Sequence, residues 1–128
     1  EAPDHVHAWR GLARALLQQG RHHEALDAFT EAIARAPGFG VTYANRGILY
    51  DRMGRHREAL ADYERALELE PAVAEGPGWL TRFFRLQPEA PPTVADRARY
   101  LRTELAKPEG ERLLRVPEVD AGQRPYKQ

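Results

Sequence analysis

Gly20-Arg21-His22-His23-Glu24-Ala25-Leu26 returns as Gly54-Arg55-His56-Arg57-Glu58-Ala59-Leu60, a spacing of 34 residues. Outward from this stretch Trp9 pairs with Tyr43, Leu16 with Tyr50, Phe29 with Tyr63, Ala32 with Ala66 and Pro37 with Pro71 at the same spacing. A fixed period of this length marks stacked supersecondary units, none of which buries its apolar face alone.

Each unit reads as two amphipathic helices joined at the glycine. Between Val6 and Gln19 the apolar positions Trp9, Leu12, Ala13, Leu16 and Leu17 keep helical spacing, and between Glu24 and Ala36 Ala25, Leu26, Phe29, Ala32 and Ile33 do the same. Gly20 and Gly54 suit the position just past a helix end, where φ is positive. Pro37 and Pro71 stop the second helix by withholding a backbone donor.

The pattern resembles the tetratricopeptide repeat, W-x2-L-G-x2-Y, then A-x3-F, then A and P. In the first unit, residues 6–39, Trp9, Leu12, Leu16, Gly20, Ala25, Phe29, Ala32 and Pro37 match, with Ala13 replacing the small glycine. In the second, residues 40–73, Tyr43, Gly47, Tyr50, Gly54, Ala59, Tyr63, Ala66 and Pro71 match, and Arg46 stands where leucine is expected. The resemblance implies an all-α fold, a right-handed superhelical array of antiparallel helix pairs. Ala13 facing Ala25, and Gly47 facing Ala59, then allow the paired helices to approach closely.

Two such units do not bury a continuous core, so a cap is expected after Val73. Leu80 and Phe84 keep the register of Arg46 and Tyr50, which predicts a worn third first-helix over residues 75–87. Pro88, Pro91 and Pro92 replace the glycine turn, Thr93 and Asp96 form a capping pair, and helix resumes from Val94 to Lys107. Tyr100 precedes Pro108 by the spacing that separates Phe29 from Pro37. The organisation is thus a repeat domain over residues 1–108, its third unit over 74–108, followed by a C-terminal extension, 109–128. Residues 109–115 add a helical turn or two, and 116–128, with Pro117, Gly122 and Pro125, form an extended tail. Pro3 falls at the stop position of a repeat preceding this chain, which suggests a piece of a longer array; the alternative is that Pro3-Asp4 starts the first helix with Asp4 as its cap.

Composition narrows the function classes. The chain has 128 residues, 19 Lys+Arg against 19 Asp+Glu, and no cysteine. Balanced charge removes the field that drives nucleic-acid binding. Absent cysteines exclude disulfides, thiolate zinc sites and cysteine nucleophiles, but leave cytoplasm and periplasm both open. No apolar run approaches the ~18 residues of a membrane span. The basic residues are all arginine except Lys107 and Lys127, a composition that suggests a GC-rich bacterial genome.

By the family's geometry the concave groove is lined by His7, Arg10, Arg14, Leu17 and Gln18 in the first repeat, and by Val41, Ala44, Asn45, Ile48, Asp51 and Arg52 in the second. Arg82 and Arg85 join from the third unit. Some family members clamp a chaperone's C-terminal carboxylate with Lys, Asn and Arg. Here Asn45 and Arg10 hold clamp positions, but Arg14 replaces an asparagine, and Glu75 and Trp79 occupy the third unit's basic positions. The expected ligand is an acidic or carboxylate-ended segment meeting Arg10, Arg14 and Asn45.

Trp79, Phe83 and Phe84 read as the core of the cap, or as a self-association patch making a homo-oligomer. His22 and His56 occupy matching positions and read as packing or turn residues; no ligand set for a metal is complete. No phosphate loop, nucleophile elbow or paired-carboxylate pocket is present, and the acidic series Asp62, Glu64, Glu68, Glu70 reads as a solvated helix face. The expectation is therefore a cofactor-free, non-enzymatic protein-interaction module whose partner is a protein or peptide. Three alternatives stand beside it: assembly through array ends, docking of the C-terminal tail in a groove, and an accessory domain of a larger enzyme or secretion component.

Overall fold

The structure, a computed structural model, describes residues 3–75 and 93–114. Five α-helices account for most of them: α1 (Pro3–Gln18), α2 (His22–Arg35), α3 (Gly40–Arg52), α4 (His56–Leu69) and α5 (Val94–Leu105). Short 3-10 turns follow α4 at Pro71–Glu75 and α5 at Glu109–Glu111. α1 packs on α2 and α3 on α4 within each repeat. The repeats meet through α2 and α3, and α5 packs on α4 and on the Pro71–Glu75 turn. This is the helical repeat array that the period implies.

The two glycine turns show why the chain reverses where it does. Gly20 and Gly54 have φ of 76° and 80°, which an L side chain resists. Around the first, Arg21 N donates to Leu16 O and Gly20 N to Leu17 O; around the second, Arg55 N donates to Tyr50 O and Gly54 N to Asp51 O. These paired bonds satisfy carbonyls that the helix end would otherwise leave open, and they set the entry of the second helix. α2 and α4 end at Arg35 and Leu69, two residues before Pro37 and Pro71.

Close approach within a pair has a measurable cause. A Cβ built on Gly47 would lie 2.7 Å from the Tyr63 ring, and one on Gly40 would lie 2.9 Å from Ala66 O. Glycine at both positions lets α3 lie against α4, and fully buried Ala13 and Ala25 do similar work between α1 and α2. Leu16, Leu17, Phe29, Ile48, Leu49, Tyr63 and Val73 extend the core along the array, and Val94, Ala98 and Leu101 of α5 close it at the far end.

α5 begins as the sequence expects. Thr93 Oγ1 accepts from Asp96 N and Asp96 Oδ2 accepts from Thr93 N, each at 3.1 Å, a reciprocal cap for two otherwise open donors. It ends at Leu105, and only Glu109–Glu111 adds a further turn. The chain then doubles back along α5: Glu104 accepts from Leu113 N at 2.8 Å, and the Tyr100 hydroxyl donates to Leu113 O. Tyr100 is half-buried and bound to this returning segment, whereas Phe29 and Tyr63 are core residues.

Candidate functional site

The expected groove residues divide by burial. His7 and Gln18 are exposed; Arg14, Val41 and Arg52 are half-buried; Leu17, Ala44, Asn45, Ile48 and Asp51 are buried. Leu17, Ala44 and Ile48 belong to the continuous core, so they form the floor of this face. Arg82 and Arg85, and the Trp79, Phe83 and Phe84 patch, lie outside the described residues. What remains is two polar clusters, one in each repeat.

Asp51 centres the second-repeat cluster. Arg97, reaching across from α5, donates from Nε to Oδ2 at 2.5 Å and from Nη2 to Oδ1 at 2.7 Å. His56 Nδ1 lies 2.9 Å from Oδ1, and the Tyr63 hydroxyl donates to Oδ2 at 3.1 Å. Arg97 Nη2 also donates to Leu114 O at 2.8 Å, which ties the returning segment to the same charge pair. The side chains of Asp51 and Arg97 are 1% and 0% exposed. Charges this deep are tolerated only when paired and hydrogen-bonded, and the carboxylate here is saturated, although Arg97 Nη1 makes no hydrogen bond. The cluster is a fastening between α3, α4 and α5.

Arg10 and Arg14, one turn apart on α1, behave in the opposite way. Arg10 is only 8% exposed, its guanidinium stacked 4.4 Å from the centre of the Phe39 ring. Its Nε and the Nη1 of Arg14 are buried donors with no acceptor. Burial lowers the Arg10 pKa from its usual value; Glu70 opposes that shift and Arg14 adds to it. Glu70 is not a full partner, since its Oε1 accepts from Gly40 N at 2.9 Å. Each orphaned buried donor costs about 1–3 kcal/mol. Here two of them lie on neighbouring like charges.

A third charged feature explains the departure at Arg46. Its Nε and Nη2 donate to the two Asp62 oxygens at 2.7 and 2.9 Å, a bidentate pair joining α3 to α4. Burial opposes the Arg46 charge, but hydrogen bonding and charge attraction from Asp62 outweigh it and hold the guanidinium above its usual pKa. In the first repeat the same two places are Leu12 and Ala28. The acidic series is therefore not one solvated face: Asp62 is buried against Arg46, Glu70 binds Gly40 N, and Glu64 and Glu68 pair with Arg102 and Arg65.

Among the described residues no group of three or more His, Cys, Asp or Glu is placed to hold a metal. No described helix is long and apolar enough to cross a membrane. Phe39, Glu70 and Arg97 were not among the expected site residues. Phe39 lies in the turn between repeats, and the partners of Glu70 and Arg97 are 30 and 46 residues away.

Two family models, both described as tetratricopeptide repeat, match residues 1–38 and 41–72. The chain belongs to the tetratricopeptide repeat family. Over 67 residues it is 38% identical to Hsp70-Hsp90 organizing protein 1 of Glycine max and 42% identical to Hsp70-Hsp90 organizing protein of Triticum aestivum. It is 36% identical over 63 residues to a tetratricopeptide repeat and J domain-containing co-chaperone of Cryptococcus neoformans. The first two matches cover 52% of this chain and the third 49%, but each covers only 12% of the relative. No solved structure matches significantly. These relatives are plant and fungal, and the bacterial expectation rests on composition alone. The family supplies the class of function, a protein-interaction module.

Proposed function

We propose that this repeat array is a non-catalytic module that takes an acidic or carboxylate-ended segment of a protein along its concave face. Residues 74–108 serve as the worn third unit and cap. The observation that carries the reading is the pair of buried donors, Arg10 Nε and Arg14 Nη1, left without acceptors in a site that Glu70 only partly neutralises. Charge-assisted bonds to a carboxylate are among the stronger polar contacts, and arginine suits planar anions. Relatives named as Hsp70-Hsp90 organizing proteins support a protein ligand, and a chaperone is one candidate.

The test is the affinity of a fluorescently labelled acidic peptide for the chain and for its Arg10→Ala/Arg14→Ala variant, measured at low and at physiological salt. The reading expects a loss of about tenfold or more in the variant, equal to about 1.4 kcal/mol, and a shallower salt dependence. Unchanged affinity contradicts it.

Two other readings have one observation each. Leu12 on α1 is 48% exposed, which favours assembly through the array end; a monomer unchanged across a concentration series in size exclusion counts against it. The chain doubles back along α5 as far as Leu114, which favours docking of residues 116–128, although that segment lies outside the described residues. Removing it should then lower stability or raise affinity for added peptide, and no change in either contradicts tail docking.

A further inference from the structure

We infer that Arg10, Arg14 and Phe39 form a subsite for one side-chain carboxylate lying next to an apolar side chain, taken from the interior of a bound segment and not from its chain end. The inference rests on the proposed function and specifies what that face recognises.

Charge sets the stoichiometry. Arg10 and Arg14 bring two positive charges, and Glu70 acts on Arg10 with one negative charge while its Oε1 is held by Gly40 N. Among the described residues one anion is missing. A second anionic group, such as a chain-terminal carboxylate beside an acidic side chain, finds among the described residues no counterpart of the arginine pair in the second repeat: Asn45 is 1% exposed, and at 44 and 48, the positions matching Arg10 and Arg14, the chain has Ala44 and Ile48.

Shape sets the direction. His7 and Gln18, about one turn before Arg10 and one turn after Arg14, are both exposed on α1, so this face continues on either side of the arginine pair. A segment that runs on past the arginine pair meets an exposed side chain on either side. Phe39 supplies the apolar neighbour: its ring lies under the Arg10 guanidinium and is 39% exposed, with half-buried Val41 following it. A guanidinium stacked on an aromatic ring still presents its edge to a carboxylate, and the remaining ring surface receives an apolar side chain.

The experiment follows the side-chain Nε–H signals of Arg10 and Arg14 in proton–nitrogen correlation spectra of the whole chain. Three blocked tetrapeptides are titrated: Ac-Ala-Asp-Leu-Ala-NH2, its neutral analogue Ac-Ala-Asn-Leu-Ala-NH2, and Ac-Ala-Ala-Leu-Ala-OH, whose carboxylate is terminal. The inference expects saturable shifts with the first and binding at least about tenfold weaker with the other two. It also expects weaker binding of the first peptide to Phe39→Ala, whose spectral dispersion reports in the same experiment that it is folded.

Equal affinity for the terminal carboxylate overturns the inference and leaves the proposed function standing. So does binding unaffected by Phe39→Ala, or silence of both arginines while a longer acidic peptide still binds in an Arg10-dependent way. Failure of every acidic peptide, long or short, overturns both.

Discussion

Arg10 and Arg14 of the first repeat stand where the second has Ala44 and Ile48, and Asp51 of the second stands where the first has Leu17. Both repeats thus place charge on the same face of the same kind of helix, yet the charges have different fates. Asp51 is saturated by Arg97, His56 and Tyr63. Arg10 and Arg14 keep buried donors with nothing to bind. Arg97 Nη1 is also a buried atom that makes no hydrogen bond, so the difference lies in charge: Arg97 is neutralised by a bidentate carboxylate, whereas Arg10 and Arg14 are two like charges whose buried donors face no carboxylate of their own. In the proposed reading, the contrast separates fastening from recognition in an array whose two units otherwise share their architecture.

The largest expected effect comes from giving the second repeat the first repeat's residue. Asp51→Leu leaves the Arg97 guanidinium buried without its counter-ion and should cost about 3–5 kcal/mol in urea unfolding. Asp51→Leu/Arg97→Met, which removes both charges, should return most of that loss. If the double variant is as unstable as the single one, the cluster does more than pair two charges.

Exchanging the small residues at the helix crossing should have a smaller effect. Gly47→Ala drives a methyl into the Tyr63 ring and should cost about 1–3 kcal/mol, whereas Ala13→Gly in the first repeat should cost about 0.5–1 kcal/mol through backbone entropy. Chemical denaturation of the two variants side by side checks the order, and a costlier Ala13→Gly would break it. Smaller still is Tyr63→Phe, which deletes one of several donors to Asp51 and should cost about 0.5–1.5 kcal/mol by the same measurement.

Much of this was legible in the residues. The 34-residue spacing placed both glycine turns at their positive φ, and Thr93 with Asp96 announced the start of α5, because turns and caps are written in neighbouring residues. The fastening was not legible: Asp51 and Arg97 are 46 residues apart and belong to units whose register has diverged. Arg46 stands where the repeat expects leucine because its partner Asp62 stands in place of Ala28, a paired exchange that helical periodicity alone does not reveal. At the candidate site the arginines were visible from their spacing. Phe39 was not, since a turn residue carries no periodic signal, and neither was Glu70, whose bond to Gly40 crosses from the end of α4 to the start of α3.

The urea midpoint of the Arg10→Met/Arg14→Leu variant tests the difference between the two repeats most directly. Removing two like charges whose buried donors lack acceptors relieves desolvation and like-charge repulsion. The variant should therefore unfold at the parent midpoint or above it while losing its affinity for acidic peptide. A fall in midpoint as large as that of Asp51→Leu would show that Arg10 and Arg14 hold the fold together and are not kept for a ligand.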